Sequence, residues 1–240
     1  MTNKRPYMSS PHPEPLTRES IHEAIRNRVS RIDREFSEAF TFLQNYPRSV
    51  TFFGSTRSTE KNEHYIKARR IAGRIATELG YTVLTGGSAG IMEAANRGAF
   101  EAGGQSVGLN IRLAQKQRSN RYTTASIEFS YFFVRKVALS FAAEAYLFFP
   151  GGFGTLDEFF EIATLVQTSK IRRVPIFLVG KDYWEPLDKF IKENVFTLHH
   201  AIDQNDMELY RITDDDEEIL ATIRKVPVHD GGFHRHYSRR

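Results

Sequence analysis

Residues 145–169, AYLFFPGGFGTLDEFFEIATLVQTS, place an apolar run, a glycine-rich loop and an amphipathic segment in direct succession. The run Ala145–Phe149 is apolar throughout, as expected of a strand that is covered on both faces. The segment Gly154–Ser169 has the length and spacing of a helix. A strand followed by a loop and a helix is the repeating unit of a parallel α/β sheet, so this stretch predicts that fold class.

The same alternation continues on both sides of this stretch. Further strands are predicted at Ser49–Phe53, Thr82–Leu84, Ser106–Ile111 and Val174–Val179, with a short edge strand at Leu209–Ile212. Further helices are predicted at Glu60–Leu79, Gly90–Ala102, Tyr131–Ala143, Asp182–Asn194 and Asp215–Lys225. Right-handed crossovers join such elements into one sheet. We therefore expect residues 47–228 to form a single three-layer, doubly wound parallel (Rossmann-like) α/β domain.

The segment before this domain predicts one added helix. Thr17 can cap it, and an apolar residue recurs every three or four positions up to about Gln44, so residues 16–46 form a flanking helix in this interpretation. The stripe is typical of a helix packed on the flank of the domain, and its spacing also suits a seam with a partner helix. Residues 1–15 and the basic tail 229–240 are predicted to be disordered.

Composition excludes several classes of protein. The chain has 240 residues, a net charge of +4 and no cysteine, which rules out disulfides, thiolate metal sites and cysteine nucleophiles and agrees with a cytoplasmic location. No apolar run approaches the ~20 residues of a membrane span. No basic stripe with interleaved aromatics indicates a nucleic-acid partner. A small anionic ligand suits this charge balance, and no metal or organic cofactor is implied.

Two predicted strands end in glycine-rich loops that open helices. The first loop is Thr85–Gly90 (TGGSAG) and the second is Pro150–Thr155 (PGGFGT), while Gly54–Arg57 (GSTR) offers a third anion-binding candidate. Free N–H groups and the helix dipole make such a loop an anion cradle, although glycine turns after strands also arise for steric reasons alone. Neither loop carries the Gly-Lys-Ser/Thr of a Walker A motif. No acidic residue for a ribose diol ends the following strand, so a nicotinamide cofactor is disfavoured.

The second loop also carries a resemblance to a known family. Residues 150–158 (PGGFGTLDE) match the Pro-Gly-Gly-x-Gly-Thr-x-x-Glu signature of the LOG (Lonely Guy) family, cytokinin-activating phosphoribohydrolases formerly called lysine decarboxylase-like. The first loop with its GIMEAA continuation (residues 90–95), the pair Arg135-Lys136, and Thr164 with Gln167 are similar to further family motifs. Ser88-Ala89 and Leu165 depart from the family's usual Gly-Pro and tryptophan. The resemblance spans residues 49–194.

The resemblance implies hydrolysis of the N-glycosidic bond of a purine, adenine-type nucleoside 5′-monophosphate to free base and ribose 5-phosphate. It implies Glu158 as the catalytic carboxylate and Arg135 as the residue that orients substrate and stabilises charge. The residues it implies for substrate or phosphate binding are Gly54, Ser55, Gly86, Gly87, Glu93, Lys136, Gly151, Gly152, Gly154, Thr155, Thr164 and Gln167. For Glu93, binding of the ribose hydroxyls and stabilisation of its own helix start remain equal alternatives.

Alternative interpretations come from other classes of protein. Nucleotide-sensing proteins and molybdenum-cofactor carriers share this fold without hydrolysing a ligand, but they have no need of a carboxylate placed as Glu158 is. The pair His199-His200 lacks a third ligand and is interpreted as a surface pair. The phenylalanines at 132, 133, 148, 149, 159 and 160 are interpreted as core. The expected partners are a small nucleoside monophosphate and a second copy of the chain, as a homodimer or higher homo-oligomer, with the helix carrying Phe160 and Leu165 as the contact.

Overall fold

The computed structural model describes residues 17–112 and 120–227, which form a seven-stranded, all-parallel sheet between two layers of helices. The strands are β1 (Ser49–Phe53), β2 (Thr82–Thr85), β3 (Ser106–Ile111), β4 (Ala125–Phe129), β5 (Ala145–Phe148), β6 (Ile176–Leu178) and β7 (Arg211–Ile212). The helices are α1 (Arg18–Leu43), α2 (Glu63–Arg74), α3 (Ile91–Glu101), α4 (Phe132–Phe141), α5 (Phe153–Gln167), α6 (Lys181–Phe190) and α7 (Asp216–Arg224). The predicted doubly wound α/β fold with an added N-terminal helix is confirmed.

The strand order β4-β3-β2-β1-β5-β6-β7 places β1 at the centre of the sheet. Val50 pairs with Val83 of β2 on one side and with Ala145 of β5 on the other. The chain builds outward from β1 to β4, then returns to the opposite side of β1 as β5. This reversal leaves a crevice beyond the carboxyl ends of β1 and β5, where sheets of this class bind ligands.

Each face of the sheet buries its own apolar core. On one face α2, α3 and α7 pack around Phe52, Leu147 and Phe149. On the other, α1, α4, α5 and α6 pack around Phe53 and Phe148. Strands covered on both faces need apolar side chains throughout, which explains why the central runs do not alternate. Truncating a fully buried phenylalanine of this kind to alanine costs about 3–5 kcal/mol.

Helix α1 has two parts with different surroundings. It begins after Thr17, whose hydroxyl accepts a hydrogen bond from the Ser20 N–H at 3.1 Å. Its second half packs against α4, with the rings of Phe36 and Phe133 6.4 Å apart, so the predicted flank packing holds there. Its first half is exposed, including the apolar side chains of Ile21 (41%), Ile25 (54%) and Val29 (59%).

A carboxylate on α1 also fixes the start of α4. Glu35 accepts hydrogen bonds from the backbone N–H groups of Ser130, at 2.8 Å, and Tyr131, at 3.1 Å. The first N–H groups of a helix have no partner within the helix, and an acidic group there also complements the helix dipole. The added helix therefore holds the backbone immediately before α4.

The structure differs from the predicted elements in a few places. Strand β4 was not predicted, because it lies at the sheet edge and alternates partly buried and exposed residues instead of being apolar throughout. Helix α2 begins at Glu63 rather than Glu60, since the Asn62 side chain caps it. The predicted disordered segments 1–15 and 229–240 lie outside the described residues. Within residues 17–112 and 120–227, no helix is both long and apolar enough to cross a membrane.

Candidate active site

A cavity of about 780 Å³ opens at the carboxyl ends of the strands, a volume typical of a small-molecule site. It is bordered by the loops that follow β1, β2 and β5 and by residues at the ends of β3 and the start of α4. The lining residues are Phe53, Gly54, Ser55, Thr56, Arg57, Gly86, Gly87, Ser88, Met92, Asn110, Ile111, Phe132, Arg135, Pro150, Gly151, Gly152, Phe153, Gly154, Thr155, Glu158 and Tyr183.

The loop after β1 joins the two glycine loops. The Ser55 N–H donates to the Pro150 carbonyl of the second loop at 3.0 Å, and the Ser55 carbonyl accepts from the Ile91 N–H at 3.0 Å. The approach is so close that a Cβ at Gly54 would lie 2.7 Å from the Ile91 Cβ. Gly90 has a φ of +71°, which side-chain-bearing residues rarely adopt. These glycines are needed to bring the three loops together.

A buried amide network shapes the first glycine loop. Asn96 is fully buried on α3, and its Oδ1 accepts hydrogen bonds from the Thr85 hydroxyl at 2.5 Å and from the Asn120 Nδ2 at 2.9 Å. The Thr85 hydroxyl in turn accepts from the Gly87 N–H at 2.8 Å. Sequence reasoning missed Asn96. Its signal was an asparagine on the apolar face of a helix, where a buried amide must be satisfied by partners.

The second loop leads into α5 without a side-chain cap. The cap position is Gly152, which has no side chain to accept from the first N–H groups of the helix. These groups border the cavity together with the positive end of the helix dipole, an arrangement that suits an anion. Tyr183 steadies the loop, since its hydroxyl donates to the Gly151 carbonyl at 2.7 Å.

Glu158 lies in the second turn of α5 and faces the cavity. Part of its surface is open to the cavity, while the surrounding protein atoms shield most of its carboxyl group from solvent. This burial raises the pKa of Glu158 to about 7, and the nearby charges of Arg135 and Lys136 lower it by less. A carboxyl with a pKa near neutrality in a cleft is a candidate acid or base.

Arg135 reaches the same part of the cavity from α4. It is only 7% exposed, and its Nε donates to the Leu109 carbonyl at 2.6 Å. Burial lowers the pKa of Arg135 and the Glu158 charge raises it, yet a guanidinium keeps its proton in proteins. Arg135 therefore supplies a fixed positive charge next to a carboxyl that can gain or lose a proton.

Comparison with known proteins identifies the family. A family model described as possible lysine decarboxylase matches residues 92–223, more than half of the chain. This chain belongs to that family, the LOG family. The match includes Arg135 and Glu158.

Two similar relatives carry the family's phosphoribohydrolase name. A cytokinin riboside 5′-monophosphate phosphoribohydrolase of Arabidopsis thaliana is 30% identical over 153 residues, which cover 62% of this chain and 66% of that protein. A probable enzyme of the same name from Oryza sativa subsp. japonica is 26% identical over 198 residues, which cover 79% of this chain and 86% of that protein. The chain thus spans about two thirds of the length of the first relative.

Similar solved structures support the fold. The molybdenum cofactor carrier protein of Chlamydomonas reinhardtii matches with a TM-score of 0.55 at 21% identity. The match covers 75% of this chain and 97% of the carrier protein. The molybdenum cofactor binding protein of Rippkaea orientalis matches with a TM-score of 0.54 at 20% identity. The match covers 74% of this chain and 94% of that protein. At these identities the likeness concerns the fold and carries no function.

Most of the residues that the LOG resemblance implied for the site line one cavity. These are Gly54, Ser55, Gly86, Gly87, Arg135, Gly151, Gly152, Gly154, Thr155 and Glu158. They come from five different loops and helices, so the fold brings together residues that are far apart in the sequence. Their roles remain predictions.

Four of the implied residues lie elsewhere in the chain. The Glu93 carboxylate accepts from the Tyr65 hydroxyl at 3.1 Å and does not line the cavity, which favours the structural alternative. The Lys136 ammonium lies 2.8 Å from an Asp157 oxygen and 3.1 Å from a Glu161 oxygen. Thr164 and Gln167 are exposed farther along α5, and the Gln167 amide donates to Asp206 at 2.6 Å. The predicted substrate contacts therefore do not arise within this cavity.

The predictions for the aromatic residues are partly wrong. Phe148, Phe149 and Phe159 are buried as predicted. The core assignment is wrong for Phe132, Phe133 and Phe160, which are exposed by 56%, 46% and 44%. On α5, Phe160 is available for a subunit contact, whereas Phe159 faces the core. Among the described residues no group of three His, Asp or Glu side chains is placed to hold a metal ion.

Proposed function

We propose that this protein hydrolyses the N-glycosidic bond of a purine nucleoside 5′-monophosphate, releasing the free base and ribose 5-phosphate. The observation that carries the proposal is that Glu158, with its pKa raised to about 7, and the positively charged Arg135 line one cavity that glycine-rich loops border. The names of the relatives support the same reaction. The predicted cytoplasmic location and homo-oligomeric state remain predictions.

The glycine loops supply the binding energy for the phosphate in this proposal. The first N–H groups of α5, after Gly152, have no partner within the helix and border the cavity. Arg57 also lines the cavity and adds a positive charge. A phosphate held at the start of α5 leaves the ribose beside the second turn of that helix, which is where Glu158 lies.

Glu158 has two roles in the cleavage. As the bond between C1′ and the base nitrogen breaks, its electron pair goes to the base and positive charge develops on the ribose, where the carboxylate stabilises it. Glu158 then accepts a proton from the attacking water, whose oxygen bonds to C1′. A proton from solvent neutralises the departing base. Arg135 stays charged, orients the substrate and offsets the negative charge of Glu158.

The second candidate function is binding without hydrolysis. The likeness to molybdenum cofactor carrier and binding proteins favours it, because those proteins share the fold. A carrier has no need of a cavity-lining carboxyl whose pKa lies near neutrality. The hydrolase proposal explains Glu158, and the carrier alternative does not.

A substrate panel tests the proposal. Purified protein is incubated with AMP, N6-isopentenyl-AMP, GMP and CMP and with the corresponding nucleosides, and free base and ribose 5-phosphate are quantified by chromatography. We expect base release from at least one purine monophosphate and none from the nucleosides, since the phosphate anchors the substrate. Binding of a monophosphate without any base release would support the carrier alternative instead.

A further inference from the structure

The end of the cavity formed by β3 and α4 carries an apolar surface next to polar groups. The glycine loops follow β2, β1 and β5, which are neighbours in the sheet. Beyond β2 the lining consists of Asn110 and Ile111, at the end of β3, and of Phe132 and Arg135 on α4, so Ile111 and Phe132 supply its apolar surface. Neighbouring strands lie about 4.8 Å apart, so the ends of β5 and β3 are separated by roughly 14 Å. That span accommodates a nucleotide lying along the edge of the sheet.

Phe132 differs from the other exposed phenylalanines of α4 in its position. Its ring is 56% exposed and lines the cavity, whereas Phe133 packs against Phe36 of α1 and Phe141 lies at the far end of the helix. Phe132 precedes Arg135 by three residues, a spacing that places both side chains on one face of α4. The Glu35 carboxylate accepts hydrogen bonds from the two N–H groups that directly precede Phe132.

We propose that Phe132, together with Ile111, forms the base subsite and determines the class of base that the protein accepts. This inference rests on the proposed function. With the phosphate on the glycine loops and the ribose beside Glu158, the base extends toward Ile111 and Phe132. An aromatic ring open to the cavity stacks on a planar heterocycle, and stacking strengthens with the size of the π surface. Phe132 therefore favours purine over pyrimidine monophosphates.

The position of the base relative to Arg135 is part of the inference. The guanidinium and the ring lie on the same face of one helix, so the base and the ribose contact successive turns of α4. The Phe132 ring contacts the base through its face only and makes no hydrogen bond to it. We expect substituents at the edge of the base to affect binding less than loss of the stacking surface.

Kinetics of F132A and F132L, with F141A as the matched control, test this inference. We expect F132A to raise KM for AMP about tenfold, with kcat changed less than threefold, and F132L to recover only part of the affinity. Inhibition by ribose 5-phosphate, which lacks a base, should be unchanged. F141A removes a similarly exposed ring from the same helix, and its KM should stay within twofold of wild type.

Several outcomes would overturn the base subsite. The first two are an unchanged KM in F132A and an equal loss of ribose 5-phosphate affinity. The third concerns a further variant, F153A, which removes the exposed ring at the start of α5. An increase in KM in F153A alone would place the base at the glycine-loop end. If the wild-type protein binds AMP without hydrolysing it, the proposed function fails, and Kd values for AMP replace KM in the same comparison. If it binds no AMP, both proposals fail.

Discussion

Arg135 on α4 lies close enough to Glu158 on α5 for its guanidinium charge to lower the pKa of the Glu158 carboxyl. Burial has the larger effect and raises that pKa to about 7. The two effects oppose each other, so the carboxyl changes its protonation near neutral pH while the guanidinium does not. The predictions below depend on this balance.

The first prediction concerns the pH dependence of turnover. Glu158 must be ionised to stabilise positive charge on the ribose, and its raised pKa leaves it protonated at pH 5–6. We expect kcat/KM to rise about tenfold per pH unit below neutrality and to level off above an apparent pKa of about 7. A profile that is flat from pH 5.5 to 8.5 contradicts this role of Glu158.

Arg135 offers a second test of the same balance. Replacing Arg135 with alanine removes a charge that lowers the pKa of Glu158, so the midpoint of the pH profile should move upward. The rate at pH 8 should fall by about 10²-fold, as for loss of one electrostatic stabiliser. Arg135→Lys is the matched control, because it keeps the charge and loses the Nε hydrogen bond to Leu109. If the pH profiles of both variants had the same midpoint as that of the wild-type protein, the Arg135 charge would have no effect on the pKa of Glu158.

Stability should also depend on pH through Glu158. Its pKa in the folded protein lies above the ordinary value of 4.5, so the folded state binds the proton more tightly than the unfolded state does. The corresponding stabilisation is present below pH 4.5 and is lost as the pH rises to about 7. Glu158→Gln removes this dependence. The Tm of Glu158→Gln minus the Tm of the wild-type protein should therefore be a few degrees larger at pH 8 than at pH 5, as measured by differential scanning calorimetry.

The sequence predicted more of the fold than of the site. Central strands such as Val50–Phe53 are covered on both faces, so their apolar runs were sufficient to predict them. Strand β4 has one covered face and no such run. Ten of the implied site residues line the cavity because glycine loops after neighbouring parallel strands must meet at one edge of the sheet.

The remaining site features depend on contacts that are distant in sequence. Lys136 follows Arg135 directly, yet it pairs with Asp157 and Glu161 because consecutive helix residues point in different directions. Phe132 lines the cavity at the start of α4, where Glu35 on a separate helix holds the two preceding N–H groups. Neither relationship has a local sequence signal.

The buried amide of Asn96 leads to a prediction about the first glycine loop. In Asn96→Ala the Thr85 hydroxyl and the Asn120 amide lose a buried partner, at a cost of about 1–3 kcal/mol, which lowers Tm by roughly 2–12 °C. Asn27→Ala, an exposed change on α1, serves as the control. An unchanged Tm in Asn96→Ala would show that the network does not stabilise the loop.

The capping contact of Glu35 predicts a role for α1 in positioning the site. Glu35→Ala removes the acceptor for two N–H groups at the start of α4 and should lower the free energy of unfolding by about 1 kcal/mol. KM for the substrate should also rise, since α4 carries Phe132 and Arg135. Glu38→Ala, at an exposed position on the same helix, should change neither quantity. Equal effects of the two variants in denaturant titrations and kinetics would refute the positioning role.

The most direct test of the central claim compares wild-type protein and Glu158→Gln with AMP under single-turnover conditions. Free adenine and ribose 5-phosphate are followed by chromatography, and AMP binding is measured by calorimetry. We predict stoichiometric release of both products by wild-type protein and a rate at least about 10³-fold lower for Glu158→Gln, with the Kd for AMP within a few-fold of wild type. Product release by Glu158→Gln at the wild-type rate would contradict the assignment of Glu158 as the catalytic carboxylate.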